Sequence, residues 1–271
     1  LDARVWNLTS GINHFSEMDY IFVKGKVVFF QNALQLHIDQ IRISQEGEYD
    51  PSDYIPLSDH GIDVMFEELE GYIKSMNNPY LKALVSSFFI EDEKFKKAFC
   101  NHSAAKSVHH SFQGGLLEHT LAVTRMCDFM AKSYPLLNRD LLLAGAMFHD
   151  IGKIHEISAH PENDYTDDGQ LLGHLIIGME MVSDRMKEME KFPPKIASQL
   201  KHCMLAHHGS LEYGSPKKPA TMEALALSLA DNCDARLQTM TEAITGADSK
   251  LEWVGYNRFF ETNIRRTTNI D

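Results

Sequence analysis

The run "LLLAGAMFHDIGKI", Leu141 to Ile154, sets eight apolar or small residues directly before His149 and Asp150. A helix apolar on every side belongs in a core. A carboxylate buried there is costly unless it is paired or bound to a cation. The run therefore predicts a buried helix whose last turn either slips out to solvent or meets a positive charge.

Outward from this run, almost everything after Gly61 is helical in pattern. "DVMFEELEGYIKSM", "PYLKALVSSFF", "GGLLEHTLAVTRMCDFMAKSY", "LLGHLIIGMEMVSDRMKEM", "PKIASQLKHCMLAHH" and "TMEALALSLADNCDARLQTM" each space apolar residues by three and four, with Pro, Gly and Asn between them. Before Gly61 the pattern is β. "YIFVKGKVVFF" is β-branched and aromatic, and "ALQLHIDQIRI" alternates with Leu34, Leu36 and Ile38 on one face. The alternation then slips by one to Ile41 and Ile43, which predicts a bulge near Asp39 and Gln40. Gln31 and Asn32 make a hairpin turn, and Arg4 to Leu8 a short earlier strand. About three strands are too few for a closed barrel. The expected fold is mainly α: a small, incomplete β segment over 1–45, a polar linker over 46–60, and a multi-helix domain over 61–271.

Composition excludes several classes. Hydrophobic residues at 44% and charged residues at 24% are ordinary for a globular protein of 271 residues. No apolar run approaches the roughly 20 residues of a membrane span. No signal peptide is visible at the start, which also lacks Met and so reads as that of a fragment. Four scattered cysteines without a CxxC suit a reduced, cytoplasmic protein. A net charge of -12 argues against a broad electrostatic grip on nucleic acid but leaves room for a local basic groove or bound metals. Fourteen histidines are an excess, and histidine is the commonest metal ligand.

Position gives that excess its meaning. His119, His149–Asp150, His174, His207–His208 and Asp231 each interrupt an otherwise apolar helical stretch. One such residue alone is more often a hydrogen-bonded core histidine or a capping carboxylate. Five separate helices doing so point to divalent transition metals, with a carboxylate able to bridge two of them.

This ordered set resembles the signature of the HD superfamily of metal-dependent phosphohydrolases. "HHSFQGGLLEHTLAV", "GAMFHDIGKI", "TDDGQLLGHLIIG" and "HHGSLEYGSPKKPATMEALALSLADNCDAR" are similar, more narrowly, to the YhaM-type 3′→5′ exoribonucleases. In that family an OB-fold for single-stranded nucleic acid precedes the HD domain, and "VKGKVVFFQNALQLHIDQIRI" looks like its later strands, the opening ones being absent. The resemblance implies one metal on His119, His149, Asp150 and Asp231. It implies a second that shares Asp150 and takes His174 with His207 or His208. The ions would be Mn²⁺, with Fe, Co, Ni or Mg as substitutes, and the partner single-stranded RNA or DNA. Asp150 and Lys153 would serve catalysis, Lys153 as a donor to phosphate or merely a solvated helix-end lysine. Lys106, His109 and His110 lie in a matching stretch and are candidates to touch substrate phosphate. Gly114 and Gly115 either admit backbone close to a ligand or simply start a helix. The loop from Tyr213 to Pro219 is a candidate wall of the site, Asp234 a supporting acid, and Cys203 a buried small residue. Two other functions fit less well: an HD-type nucleotidase or cyclic-nucleotide phosphodiesterase, and a non-catalytic nucleic-acid-binding module. A homo-oligomer remains open.

Overall fold

The structure is a computed structural model that describes residues 2–5, 15–16, 19–30, 33–50, 54, 61–106, 112–160 and 162–268. It divides into two compact units, Leu1–Pro56 and Leu57–Asp271.

The first unit is a three-stranded sheet of β1 (Asp2–Val5), β2 (Ile21–Phe30) and β3 (Ala33–Ile43) in the order β1-β3-β2. β1 runs parallel to β3, and β2 antiparallel to it. Lys24 faces Gln40 and Gly25 faces Ile38, so Asp39 is the extra residue of a bulge. A side chain at Gly25 would run into the His37 carbonyl, which is why the bulge faces a glycine. The alternation in β3 predicts Leu34 on an inward face, yet Leu34 is 56% exposed while Gln35 is buried and accepts from His37 Nε2 at 3.0 Å. Phe29 and Phe30 are exposed as well, as befits a sheet too narrow to wrap on itself. The expected turn at Gln31–Asn32, the end of the first strand and most of the linker lie outside the described residues.

The second unit is built on helices whose starts the sequence writes plainly. α1 (Ile62–Lys74) is followed by α2 (Pro79–Phe89), where Asn78 Oδ1 accepts from the amides of Tyr80 and Leu81, both at 3.1 Å, and proline takes the first position. Asp92 caps α3 (Glu93–Asn101) in the same way, a short helix that the apolar spacing alone did not reveal. α4 (Gly115–Ser133) follows Gly114, whose φ of 86° needs a glycine. α5 (Arg139–Phe148) starts at Asn138 and ends where His149 begins. Then come the short α6 (Lys153–Glu156) and α7 (Asp167–Leu171), followed by α8 (Gly173–Glu188), α9 (Pro194–Ala206) and α10 (Met222–Thr245). A hairpin of β4 (Trp253–Asn257) and β5 (Thr262–Arg265) closes the described chain. The helical periodicity gave no hint of it.

α5 is the axis of this unit. Every residue from Asp140 to Phe148 is buried, and α2, α4, α9 and α10 all pack on it. Asp140 is satisfied by the amides of Asn77 and Asn78 at 2.7 and 2.6 Å. Phe88, Phe89, Phe95, Phe99 and Phe148 pack edge to face around one end. Leu142 is fully buried in this core. Leu142→Ala should therefore cost about 2–5 kcal/mol, read as a lower urea midpoint with an unchanged slope.

Candidate metal centre

α5 delivers His149 and Asp150 into the interior rather than to solvent: they are 1% and 2% exposed. The two residues follow Phe148 where the helix stops, so both side chains can turn toward one point.

Around that point the side chains fall into two groups, His119, His149 and Asp150 in one and His174, His207 and His208 in the other. In the first, His119 Nε2 lies 3.2 Å from His149 Nε2, 3.5 Å from Asp150 Oδ2 and 3.2 Å from Asp231 Oδ1. His149 Nε2 lies 3.3 Å from Asp150 Oδ2 and 4.0 Å from Asp231 Oδ1. Ligands about 2.1 Å from a common ion sit roughly 3.0–3.5 Å from one another, so the spacing suits one cation. In the second group the other oxygen of the same carboxylate takes over. Asp150 Oδ1 lies 3.4 Å from His174 Nε2 and 3.7 Å from His207 Nε2, and His174 Nε2 is 3.3 Å from His208 Nε2.

Each ring is turned by its outer nitrogen. Nδ1 of His149 donates to the Ala146 carbonyl and Nδ1 of His207 to the Met204 carbonyl, both at 2.7 Å. Nδ1 of His119 donates to Asp234 Oδ2 at 2.7 Å, Nδ1 of His174 to Glu156 Oε1 at 3.0 Å, and Nδ1 of His208 to the Tyr213 carbonyl at 2.9 Å. With Nδ1–H spent outward, each neutral ring presents the Nε2 lone pair inward, the tautomer a metal needs. Bare lone pairs 3.2 Å apart repel unless a proton or a cation lies between them. Asp150 Oδ1 is buried and has no hydrogen-bond partner, which is costly for a carboxylate oxygen. The residues fit a divalent metal pair with Asp150 shared.

Electrostatics agree. Burial alone would raise the Asp150 carboxyl, but Lys153 and His149 more than offset it and hold it well below the usual range. Burial likewise opposes ionisation of Asp231, and its contact with His119 reverses that. Burial keeps His207 neutral, and burial with His174 nearby does the same for His208. His119 moves the other way: burial disfavours its charge, yet Asp231 and Asp234 lift it to about 10. Without a cation, its proton does the work a cation would do.

His174 reaches the centre through a close crossing. A Cβ at Gly152 would meet the His174 carbonyl and the Gly178 amide, so glycine lets the segment after Asp150 lie against α8. Glu156, which the sequence reading passed over, accepts from both the backbone amide and Nδ1 of His174, each at 3.0 Å. In the sequence it is an ordinary glutamate one helical turn beyond Lys153, and only its contact with His174 gives it a role.

A cavity of about 510 Å³ opens on the centre, lined by His119, Asp150, His207, His208 and Asp231 together with Lys153, Tyr213 and Arg236. Lys153 Nζ pairs with Asp150 Oδ2 at 2.6 Å. Lys106 instead pairs with Asp164 at 2.5 Å, and neither it nor Gly115, buried at the start of α4, lines this cavity. His109 and His110 lie outside the described residues.

Three outcomes follow from the geometry. Asp150→Ala should strip bound metal while leaving the helical circular dichroism close to wild type, since α5 keeps its apolar contacts; full metal occupancy would end the bridging assignment. Glu156→Gln should lower metal affinity roughly tenfold to a hundredfold through the loosened His174, measured by competition with a fluorescent chelator. Because the His119 value lies near 10 without a cation, the ring is protonated at pH 8 and metal uptake should release a proton. Titrations in buffers of different ionisation enthalpy would show it. The sign extends to stability: the raised His119 value stabilises the metal-free fold below about pH 6.5, and that contribution is lost as pH rises through about 10.

Among the described residues no helix is long and apolar enough to cross a membrane. No solved structure matches the chain significantly. Residues 116–236 match the HD domain family. The matched segment carries both His/Asp groups, and the match supports a metal-dependent phosphohydrolase.

Proposed function

We propose that the protein is a 3′→5′ exonuclease that hydrolyses single-stranded RNA or DNA one nucleotide at a time. The observation that carries this is the cavity itself. Two cation-ready groups share the two oxygens of Asp150, which lines a space of about 510 Å³, large enough for one nucleotide. The sequence resemblance over "GAMFHDIGKI" and the surrounding motifs supplies the direction and the nucleic-acid substrate.

Divalent ions bound there, with Mn²⁺ the first choice, would polarise the phosphoryl oxygens and ionise a water at neutral pH. On this reading His119, His149, Asp150 and Asp231 hold one ion. Asp150 with His174, His207 and His208 holds the other. Lys153, an ammonium held at the cavity wall, is placed to meet a phosphate oxygen as charge builds there. Tyr213, 69% exposed on the same wall, shields one side. Upstream nucleotides would be held by the sheet of the first unit, where Phe22, Phe29 and Phe30 are exposed. Arg42, a further candidate for that grip, already makes a two-pronged ion pair with Glu48 at 2.6 and 2.8 Å and covers Phe22. Lys24 and Lys26 are then the better contacts for the strand.

The test is direct. With Mn²⁺, 5′-labelled single-stranded RNA or DNA should shorten as a ladder from the 3′ end, and binding should weaken steeply with salt. Fast hydrolysis of mononucleotides or cyclic nucleotides beside untouched oligonucleotides would decide for the nucleotidase.

A further inference from the structure

The cavity has a wall that neither metal ligation nor the HD segment accounts for. Phe259 sits in the turn between β4 and β5, beyond the segment that matches the HD family, yet it lines the same cavity as His119, Asp150 and Asp231. Its ring is 56% exposed, an unfavourable state for an apolar side chain that a flat ligand would relieve. Beside it is Arg236, in α10 five residues after Asp231, an exposed guanidinium over the faces of Phe259 and Phe260, 5.6 Å from each ring centre.

The turn is held in place. Asn257 Oδ1 accepts from the Phe259 amide at 2.9 Å and from the Phe260 amide at 3.3 Å. Just past β5, Arg266 donates to the carbonyls of Ile244 and Ala247 at the end of α10, at 2.5 and 3.1 Å. The hairpin is thereby fastened to the helix that carries Asp231 and Arg236, so the aromatic ring and the cation are preorganised against the metal groups.

We propose that Phe259 and Arg236 form the subsite for the terminal nucleotide, Phe259 stacking on its base and Arg236 taking its phosphate. The proposal rests on the phosphohydrolase site above, but it does not require that the substrate be a polymer. An aromatic face accepts any base, which suits an enzyme that must pass every nucleotide of a strand. A guanidinium beside an apolar ring is poorly hydrated and suits a phosphate oxygen.

The test uses the full chain with Mn²⁺ and two hydrolysis-resistant probes, the 5′-methylenephosphonates corresponding to adenosine monophosphate and to ribose 5-phosphate. Calorimetry on the wild type should give the adenosine probe the tighter binding by roughly tenfold, the worth of one stacked base. Phe259→Ala should erase that ratio by weakening the adenosine probe alone, and Phe259→Trp should keep it. Arg236→Ala should weaken both probes by a similar factor. Equal binding of the two probes by wild type, or an unchanged ratio in Phe259→Ala, overturns the subsite. Should oligonucleotides prove to be untouched, the exonuclease fails while this ratio still decides the subsite.

Discussion

The two oxygens of Asp150 govern this molecule. A carboxylate 2% exposed at the end of a wholly buried helix cannot be left to itself. One oxygen faces His119 and His149 with Lys153 beside it, and the other faces His174 and His207 with no hydrogen-bond donor at all. The half that has a lysine and a protonatable His119 is satisfied without metal. The half whose oxygen has no hydrogen-bond partner is not. The second half is therefore where the demand for a cation is least ambiguous.

The rings around that carboxylate are oriented by two devices, and helix ends explain the difference. His149 and His207 both stand at the C-terminal end of a helix, α5 and α9, where the last carbonyls have no amide partner. Each ring uses one of those carbonyls, three residues back, to fix Nδ1. His119 and His174 lie within or at the start of helices, where nearby carbonyls are taken, and each needs an acid from elsewhere, Asp234 or Glu156. The first device comes with the fold. The second depends on a particular side chain, so the site is more sensitive to change at Asp234 and Glu156 than their distance from the cavity suggests.

These two devices also explain what the sequence disclosed. His149–Asp150 and His207–His208 stand out because a polar pair ending an apolar helix breaks a strong pattern. His119 and Asp231 stand out for the same reason inside α4 and α10. Glu156 does not, since a glutamate in a short polar segment is unremarkable until His174 is seen against it. Gly152 looks like an ordinary helix-end glycine and Gly178 like a small residue inside an apolar helix, and only the crossing shows that a Cβ at the first would strike the backbone of α8. The long helices were legible from period and caps, down to Pro79 at the start of α2, while the short α3, α6 and α7 were not. Phe259 was not, because a two-stranded hairpin of mixed polarity leaves no period to count, and its place at the metal cavity depends on Arg266 fastening it to α10. In the first unit the alternation marked the strands and the bulge at Asp39, but not which face is buried, since burial depends on what a narrow sheet is packed against.

The acidic balance of the chain bears on how such a site could accept a polyanion. With a net charge of -12, the protein as a whole repels a nucleic-acid backbone. Asp150, Asp231, Asp234 and Glu156 add four negative charges at or beside the centre, and Lys153 with Arg236 returns only two positive ones. Protonation of His119 does not close that gap. Two divalent ions held there would close it, and would leave the lysine and the arginine as surplus positive charge on the cavity wall. On the reading proposed above, the same ions that drive hydrolysis thus decide whether a phosphate is attracted at all. Metal loading and substrate binding would then be a single coupled equilibrium, with the attraction for a phosphate strongest where the bound ions reverse the charge of the site.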